Sequence, residues 1–311
     1  MMKPLLAFGS NEAAGPNLCA WFDGLKEVSM REKRKAGAWR VTRLLAASGL
    51  LVWLVACGGG ADSAATPASG GDLARPESKE IAMQLVSSAE NSTVNWRGQY
   101  GYIEDIGDGR GYTGGIIGFT SGTGDMLALV QAYTTLEPTD GLRAYLPALQ
   151  KVNGTSSHQG LGSPFVSAWK AAAQTNAFRA TQDAKRDRGY FNPAVGLAKG
   201  DGLGALGQFA YFDAAVVHGL GEGSQTLEGI RATAMARAAT PTQGGDEVAF
   251  LNAFLDARIA VMKNETAHED VSRIETAQRV FLQQGNLALR PPLSWMVYGD
   301  AYSIDANGTA H

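Results

Sequence analysis

The chain is poor in the residue that forms cross-links and thiol sites. Its 311 residues include two cysteines, Cys19 and Cys57, and both precede the segment that we expect to fold. The folded part is therefore predicted to contain no disulfide and no thiol chemistry. It must be stabilised by burial of a core, which a body of about 230 residues can achieve.

Histidine is also scarce, and its spacing does not indicate a metal site. The four histidines are His158, His218, His268 and His311. They lack the short spacing of zinc ligands, and no cysteine stands near them to complete a set. The glycine-rich residues 107–115 lack the lysine and the strand–helix context of a phosphate-binding loop. We predict that the protein uses no metal, no cofactor and no nucleotide.

Long hydrophobic runs are absent as well. The apolar run at residues 44–56 is too short to span a bilayer permanently. It follows a basic cluster at residues 31–43, and this order is typical of an export signal. We therefore expect residues 1–57 to be an export signal. The mature protein is expected to be secreted or anchored in the bacterial cell envelope.

The end of this run resembles a bacterial lipoprotein cleavage site. The sequence LVACG at residues 54–58 places Cys57 where such proteins carry their lipid, which predicts a membrane tether. The alternative is an ordinary secretory signal cut near Ala61 or Ala64. Met30 directly precedes the basic cluster and is a candidate for the true start of translation.

The expected mature protein is acidic. Without residues 1–57 the chain keeps 19 Lys and Arg against 26 Asp and Glu, a formal charge of −7. Proteins that bind nucleic acid usually present a basic surface, so a nucleic-acid partner is disfavoured. A net negative surface is compatible with a polycationic ligand.

The pattern after the signal predicts a mainly α protein. Residues 58–76 are rich in Gly, Ala, Ser and Pro and are expected to form a flexible tether, followed by one domain at residues 77–311. Apolar periodicity predicts helices at 78–90, 123–136, 140–151, 164–186, 193–218, 226–238, 245–265 and 270–284. Only residues 111–120 indicate β structure, as a short hairpin or small sheet. No internal repeat suggests a solenoid.

Two carboxylates are expected to lie in contrasting surroundings. Glu90 ends an amphipathic helix, where the helix dipole and apolar neighbours disfavour its negative charge. Asp108 lies between two glycines in what the sequence predicts to be an exposed turn, where it should stay ionised. Glycosidases assign acid and base roles to two carboxylates in this way. Helix-end glutamates and Gly-Asp-Gly turns are also common solvated features, so the pair alone does not decide the function.

Longer motifs around these residues resemble a known family. They are EN (90–91), YIEDIGDGRGYTGG (102–115), SGTGDM (121–126), GQFAYFD (207–213), TPTQGGDE (240–247) and FLDAR (254–258). Together they resemble the glycoside hydrolase family 46 chitosanases, over a stretch from about Glu80 to about Tyr302. The resemblance implies a lysozyme-like, two-lobed helical fold (α+β) with a substrate cleft between the lobes. It also implies a monomeric, endo-acting enzyme that cleaves β-1,4-linked glucosamine in chitosan with inversion.

The resemblance assigns roles to particular residues. Glu90 becomes the general acid, Asp108 the general base, and Thr113 the residue that holds the attacking water. A supporting ion network behind Glu90 is implied for Asp213, Arg258 and Arg273. The alternative for that network is an ordinary structural salt bridge between helices, which would affect folding and not turnover selectively.

Further positions are implied to bind substrate: Tyr102, Arg110, Asp125, His218, Glu265 and Glu269. Asp125 can also be a helix-capping acid, and both roles can hold at once. His218 can equally be a core histidine, and Glu265 and Glu269 can be a solvated helix end. Glu269 departs from the aspartate expected from the family. Two other functions stay open: a lysozyme-like peptidoglycan hydrolase, and a non-catalytic carbohydrate-binding lipoprotein.

Overall fold

The computed structural model describes residues 70–264 and 270–311. The predicted signal with Cys57, and the segment with Glu265, His268 and Glu269, lie outside the described residues. Within them, no helix combines the length and the apolar character that crossing a membrane requires.

Helices make up most of the described structure. The α-helices are α1 Pro76–Glu90, α2 Asp125–Leu136, α3 Leu146–Val152, α4 Ser163–Ala172, α5 Asn176–Arg186, α6 Asn192–Gly200, α7 Ala205–His218, α8 Leu227–Met235, α9 Glu247–Lys263 and α10 Arg279–Gln283. Short 3-10 helices lie at Trp96–Gly101, Gly141–Tyr145 and Pro241–Gln243, and π-helical turns lie at Asp187–Phe191 and Ile274–Gln278. The prediction of a mainly helical fold with small sheets is confirmed.

Two small antiparallel sheets complete the fold of residues 70–264 and 270–311. Strands β1 Ile103–Asp105, β2 Tyr112–Gly114 and β3 Phe119–Thr120 form a three-stranded sheet in the order β1-β2-β3. The prediction of β structure at residues 111–120 is confirmed, with β1 added before it. Strands β4 Leu293–Val297 and β5 Asp300–Ile304 form a second hairpin. The expectation that residues 111–120 are the only β region was therefore wrong.

Two predicted helices are each divided in two. The predicted helix 164–186 is interrupted before Thr175, whose hydroxyl accepts a hydrogen bond from the Phe178 amide at 3.1 Å and caps α5. The predicted helix 193–218 is interrupted at residues 201–204, where Gly202 has a φ of +82°, a conformation that ends a helix easily at glycine. Apolar periodicity continues on both sides of each break, so periodicity alone could not detect the breaks.

Helix α7 is the buried centre of the fold. Its residues 205–215 are all buried, as expected for a helix that is apolar on every side. Asp213 lies on this helix, so its carboxylate is carried into the interior. The last turn of α1 lies close by, since Ser88 accepts a hydrogen bond at 2.9 Å from the indole of Trp295 on β4.

Residues from Gly70 onward are packed into the described structure, although the sequence assigned residues up to 76 to the tether. Leu73 is fully buried, and its amide donates to the Gln208 side chain at 2.9 Å. The Ala205 amide donates to the Gly70 carbonyl at 2.9 Å. A Cβ added to Gly70 would lie 2.7 Å from the Cα of Gly204. These glycines therefore allow two backbones to pack closely, although their composition is also typical of a linker.

Candidate active site

Glu90 is the last residue of α1, as predicted, and it is partly exposed. Its side chain keeps 21% of its surface, and Oε1 pairs with Nη1 of Arg273 at 2.9 Å. The expectation of mainly apolar neighbours was therefore incomplete, because a guanidinium lies directly against the carboxylate. A carboxylate at the end of a helix that is held by one fixed cation has a defined position, which a proton donor requires.

Arg273 connects Glu90 to a buried ion network. Its Nη2 pairs with Oδ1 of Asp213 at 2.6 Å, and Nη1 of Arg258 pairs with Oδ2 of Asp213 at 2.7 Å. Burial alone would raise the pKa of Asp213, but the charges of Arg273 and Arg258 outweigh it and hold that pKa well below its ordinary value. Burial opposes the charge of Arg273, while Asp213 and Glu90 raise its pKa. The resemblance-based grouping of Asp213, Arg258 and Arg273 is thus present as one connected set.

Two further side chains join this network. Nε of Arg258 donates to Nε2 of His218 at 3.3 Å, so His218 lies against the network at the end of α7. Nε2 of Gln278 donates to Oδ2 of Asp213 at 2.7 Å. The sequence analysis named His218 as a substrate contact and did not single out Gln278.

Asp108 lies in the turn between β1 and β2, and its side chain is buried. The prediction of an exposed turn was wrong for this residue, because the side chain has 0% exposed surface. Gly107 and Gly109 adopt φ values of +76° and +80°, which form the tight turn around Asp108. The exposed part of the turn is formed by the glycines themselves.

Arg110 is the partner of the Asp108 carboxylate. Oδ2 of Asp108 lies 2.8 Å from Nε and 2.6 Å from Nη2 of Arg110. Oδ1 accepts a hydrogen bond from the Arg110 amide at 2.9 Å. The guanidinium holds Oδ2 and the main-chain amide holds Oδ1, so both oxygens and the plane of the carboxylate are fixed. The structure therefore places Arg110 on Asp108, a contact that the sequence analysis did not include.

Thr113 and Tyr102 lie on the sheet beside this turn. Thr113 is in β2, opposite Glu104 in β1 and Thr120 in β3. Its hydroxyl is buried and makes no hydrogen bond with any of the described residues. The Tyr102 hydroxyl donates to Glu104 at 2.5 Å. Burial, this bond and the charge of Asp108 raise the pKa of Tyr102, so its phenol stays protonated.

Asp125 is the first residue of α2, and one of its oxygens accepts several hydrogen bonds near the start of the helix. Oδ1 accepts hydrogen bonds from the amides of Thr120 and Met126 at 2.9 Å, and from the Thr123 hydroxyl at 2.8 Å. None of these bonds uses Oδ2. Burial raises the pKa of Asp125, although the three bonds and the charge of Arg110 oppose it. Asp125 is thus an acid in the first turn of α2, while Gly124 holds the cap position.

Charged and phenolic groups surround Asp125. Burial and the charge of Asp125 raise the pKa of Tyr190 to about 12, against the effect of Arg110. Burial and the charge of Arg188 lower the pKa of Lys185, against the effect of Asp125. The sequence analysis did not name Tyr190 or Lys185. In the described part of the chain, no group of three or more His, Cys, Asp or Glu is arranged to hold a metal ion.

Comparison with known proteins identifies the family. Residues 84–293 match the sequence profile of glycosyl hydrolase family 46.

The chain belongs to glycosyl hydrolase family 46.

Relatives of this family 46 chain include the chitosanase of Streptomyces sp. strain N174. It is 63% identical over 238 residues, which cover 76% of this chain and 86% of that protein. A co-crystal structure of chitosanase OU01 with substrate matches with a TM-score of 0.73 and 60% identity over 75% of this chain and 99% of the other. The complex of the Gynuella sunshinyii family 46 chitosanase with chitotetraose matches with a TM-score of 0.68 and 34% identity over 74% and 98%.

These matches confirm three expectations from the sequence. The resemblance to family 46 was correct, the chain is a glycoside hydrolase, and its fold is the lysozyme-like helical fold of that family. Tyr298 of this family 46 hydrolase was also not identified from the sequence. It lies in the turn between β4 and β5, where burial raises its pKa against the opposing charge of Arg273. Its position beside Glu90 depends on a hairpin that was not predicted.

Proposed function

We propose that this family 46 hydrolase is an endo-acting chitosanase that cleaves β-1,4 linkages between glucosamine units with inversion. The observation that supports it best is the pair of separately held carboxylates. Glu90 is held by Arg273 of the buried network, and Asp108 is held by Arg110 in the sheet turn. The high identity to chitosanases over most of the chain supports the substrate class.

Glu90 acts as the general acid in this proposal. It gives its proton to the glycosidic oxygen as the bond from that oxygen to the anomeric carbon breaks. Asp108 acts as the general base and takes a proton from the water that attacks the anomeric carbon from the opposite face. Inverting enzymes hold their two carboxylates about 6.5 to 9.5 Å apart to admit this water. The product then carries the opposite anomeric configuration.

Thr113 is proposed to orient the attacking water. Its hydroxyl is buried and makes no hydrogen bond with the described residues, yet it lies on β2, directly after the turn that carries Asp108. A buried hydroxyl without a partner is costly to folding. Such a group is better explained by a partner in the reacting complex than by stability.

Negative charge explains the preference for the free amine. The hydrogen bonds of Asp125 to its neighbours end on Oδ1, and the residue is proposed to bind a substrate ammonium through a charge-assisted hydrogen bond. Tyr102, Arg110 and His218 are proposed as further substrate contacts. Glu265 and Glu269 keep the same proposed role, and they lie outside the described residues.

Substitution of the two carboxylates tests the proposal. General acid–base groups contribute roughly 10² to 10⁴-fold to rate, so Glu90→Gln and Asp108→Asn should each lower kcat on chitosan by at least about 100-fold with folding retained. Glu137→Gln, at an exposed position after α2, is the matched control and should keep full activity. NMR of the first anomer released from a glucosamine oligomer tests inversion. Near-normal turnover by either variant contradicts its assigned role, and faster release from peptidoglycan than from chitosan contradicts the substrate.

Location and assembly are part of the same proposal. We propose that the enzyme is exported, that Cys57 is lipidated, and that the mature chain acts as a monomer without a cofactor. Mass spectrometry of the mature N-terminus should give a lipidated cysteine. A free N-terminus near Ala61 or Ala64 would instead establish secretion without an anchor.

A further inference from the structure

Gln278 is a buried polar residue that the proposed mechanism does not yet use. It is 1% exposed and donates from Nε2 to Oδ2 of Asp213 at 2.7 Å. Its Oε1 lies 3.5 Å from Nη1 of Arg258. A fully buried amide with both ends on an ion network is a part of that network.

The two carboxylate oxygens of Asp213 accept different numbers of hydrogen bonds. Oδ1 accepts one bond, from Nη2 of Arg273 at 2.6 Å. Oδ2 accepts from Arg258 at 2.7 Å, from Gln278 at 2.7 Å and from Nε of Arg273 at 3.2 Å. Arg273 thus uses Nε and Nη2 on Asp213, which leaves Nη1 for Glu90 at 2.9 Å. The orientation of this one guanidinium depends on where the Asp213 carboxylate is held.

A π-helical turn brings Arg273 and Gln278 to the same carboxylate. Arg273 precedes the turn Ile274–Gln278 and Gln278 is its last residue, so they are five positions apart. In an α-helix of 3.6 residues per turn, two such residues point about 140° apart. A π-turn closes its hydrogen bond from i to i+5 and aligns them, and π-turns are frequent at functional sites. A regular helix would turn one of these two side chains away from Asp213.

We propose that Gln278 is a positioning residue for Glu90. Its amide fixes the Asp213 carboxylate, so that Arg273 presents Nη1 to the carboxylate of Glu90. This inference rests on the proposed role of Glu90 as the acid. Without the amide, Oδ2 loses one of its two short bonds, and the Nε of Arg273 moves in to replace it. The guanidinium then tilts and withdraws Nη1 from Glu90.

Apart from Nε of Arg273, the surroundings offer little to replace the lost donor. On the α1 side the network faces Leu85 and Ala89 across a cavity of about 10 Å³ that Trp295 and Asp213 also line. A cavity of this size holds at most about one water. Gln278 is also neutral, so it can bond to Asp213 without adding a charge to a site that already contains two arginines.

The test compares two glutamine-to-methionine variants in the full chain. Gln278→Met keeps the length of the side chain and removes its donor. Gln208→Met is the matched control, because Gln208 is also buried and bonds to Leu73 and Leu203 away from the network. We expect Gln278→Met to lower kcat on chitosan at least tenfold, with KM changed less than threefold. Gln208→Met should lower the unfolding temperature while kcat stays within twofold of the unsubstituted enzyme.

A second variant keeps the inference testable if Gln278→Met does not fold. Gln278→Asn keeps an amide that is one methylene too short to reach Asp213, and the same loss of kcat is expected. If either folded variant keeps kcat within twofold, the positioning role is overturned. If both Gln278 variants fail to fold, Gln278 serves stability, and the positioning role is overturned as well. Glu90→Gln is measured alongside. If Glu90→Gln is inactive and Gln278→Met is active, only the positioning role of Gln278 is refuted. If Glu90→Gln is active, both the acid role of Glu90 and the positioning role of Gln278 are refuted.

Discussion

Removal of the Asp213 charge should destabilise the enzyme strongly and in a pH-dependent way. Asp213 is 1% exposed and neutralises two arginines, with contacts of 2.7 Å to Arg258 and 2.6 Å to Arg273. Asp213→Asn keeps the shape of the side chain but leaves two buried cations with one remaining anion, Glu90. The substitution therefore tests the charge of the network and leaves its volume unchanged.

The expected cost follows from burial. Breaking a buried ion pair by removing one partner costs about 3 to 5 kcal/mol. For a protein of this size, 1 kcal/mol corresponds to roughly 2 to 4 °C in the unfolding temperature. We therefore expect Asp213→Asn to lower the unfolding temperature by roughly 6 to 20 °C near neutral pH. Asp256→Asn is the matched control, because it breaks an exposed pair with Arg279 and should cost less than about 1 kcal/mol.

The pH dependence of this loss of stability is the critical test of the charge of Asp213. The pKa of Asp213 in the folded protein lies below its ordinary value of 3.8, so its stabilisation is complete above that value and is lost as the pH falls below it. Asparagine has no proton to gain. The difference in unfolding free energy between the two proteins should therefore be full at pH 6 and shrink below about pH 4. Urea unfolding followed by circular dichroism at both pH values measures it. An equal difference at pH 6 and pH 3, or none at pH 6, refutes the reasoning.

Three further substitutions test the rest of the site. Thr113→Val removes a buried hydroxyl that has no partner among the described residues. Its free energy of unfolding should therefore not fall, whereas its kcat should fall at least tenfold. The control Thr134→Val loses a bond to a main-chain carbonyl, so it should cost about 1 kcal/mol of stability and keep kcat. Because burial raises the pKa of Asp125, its ionised form opposes folding above the ordinary value of that pKa. Asp125→Asn should therefore unfold at a higher temperature than the unsubstituted enzyme at pH 7, and this gain in stability should be lost below about pH 4. Its KM for chitosan should rise, and an unchanged KM contradicts the ammonium contact. Arg110→Lys removes the contacts of Nε and Nη2 to Asp108 and should lower kcat far more than it raises KM. A change in KM alone would show that Arg110 contacts only the substrate.

The sequence predicted the helices well where a chemical signal marks their ends. Glu90 ends α1 at the predicted residue, and the helix begins at Pro76, two positions before the predicted start at residue 78. The breaks at Thr175 and Gly202 were missed, because the apolar pattern continues through both. A capping hydroxyl or a glycine inside a periodic stretch is too common to be read as a break without a tertiary contact.

The second hairpin was missed for a different reason. β4 alternates buried and exposed residues, but β5 is mostly exposed or half-buried and has a weak hydrophobic pattern. The hairpin is held by contacts to distant parts of the chain: the Trp295 indole donates to Ser88, 207 positions away, and the main-chain amide of Tyr298 donates to the Ser272 hydroxyl, 26 positions away. Side-chain pairing over such separations leaves no local pattern to recognise.

The site shows the same division between local and long-range information. Gly107 and Gly109 correctly indicated a turn at Asp108, since both have positive φ. The turn does not determine which way the carboxylate points, and the expectation of exposure failed because Arg110, two residues later, draws it inward. The family resemblance alone marked Arg110 for substrate, and its contact with Asp108 is visible only in the structure.

The network behind Glu90 depends on an irregularity that regular periodicity would conceal. Asp213 is 45 positions from Arg258, 60 from Arg273 and 65 from Gln278. Reasoning from an α-helical repeat places Arg273 and Gln278 on different faces of one helix, which excludes the contact that the π-turn makes. A regular helix brings two residues to the same face at a separation of four, where they point only about 40° apart. The extra residue of the π-turn therefore lets Arg273 and Gln278, at a separation of five, share the face that contacts Asp213.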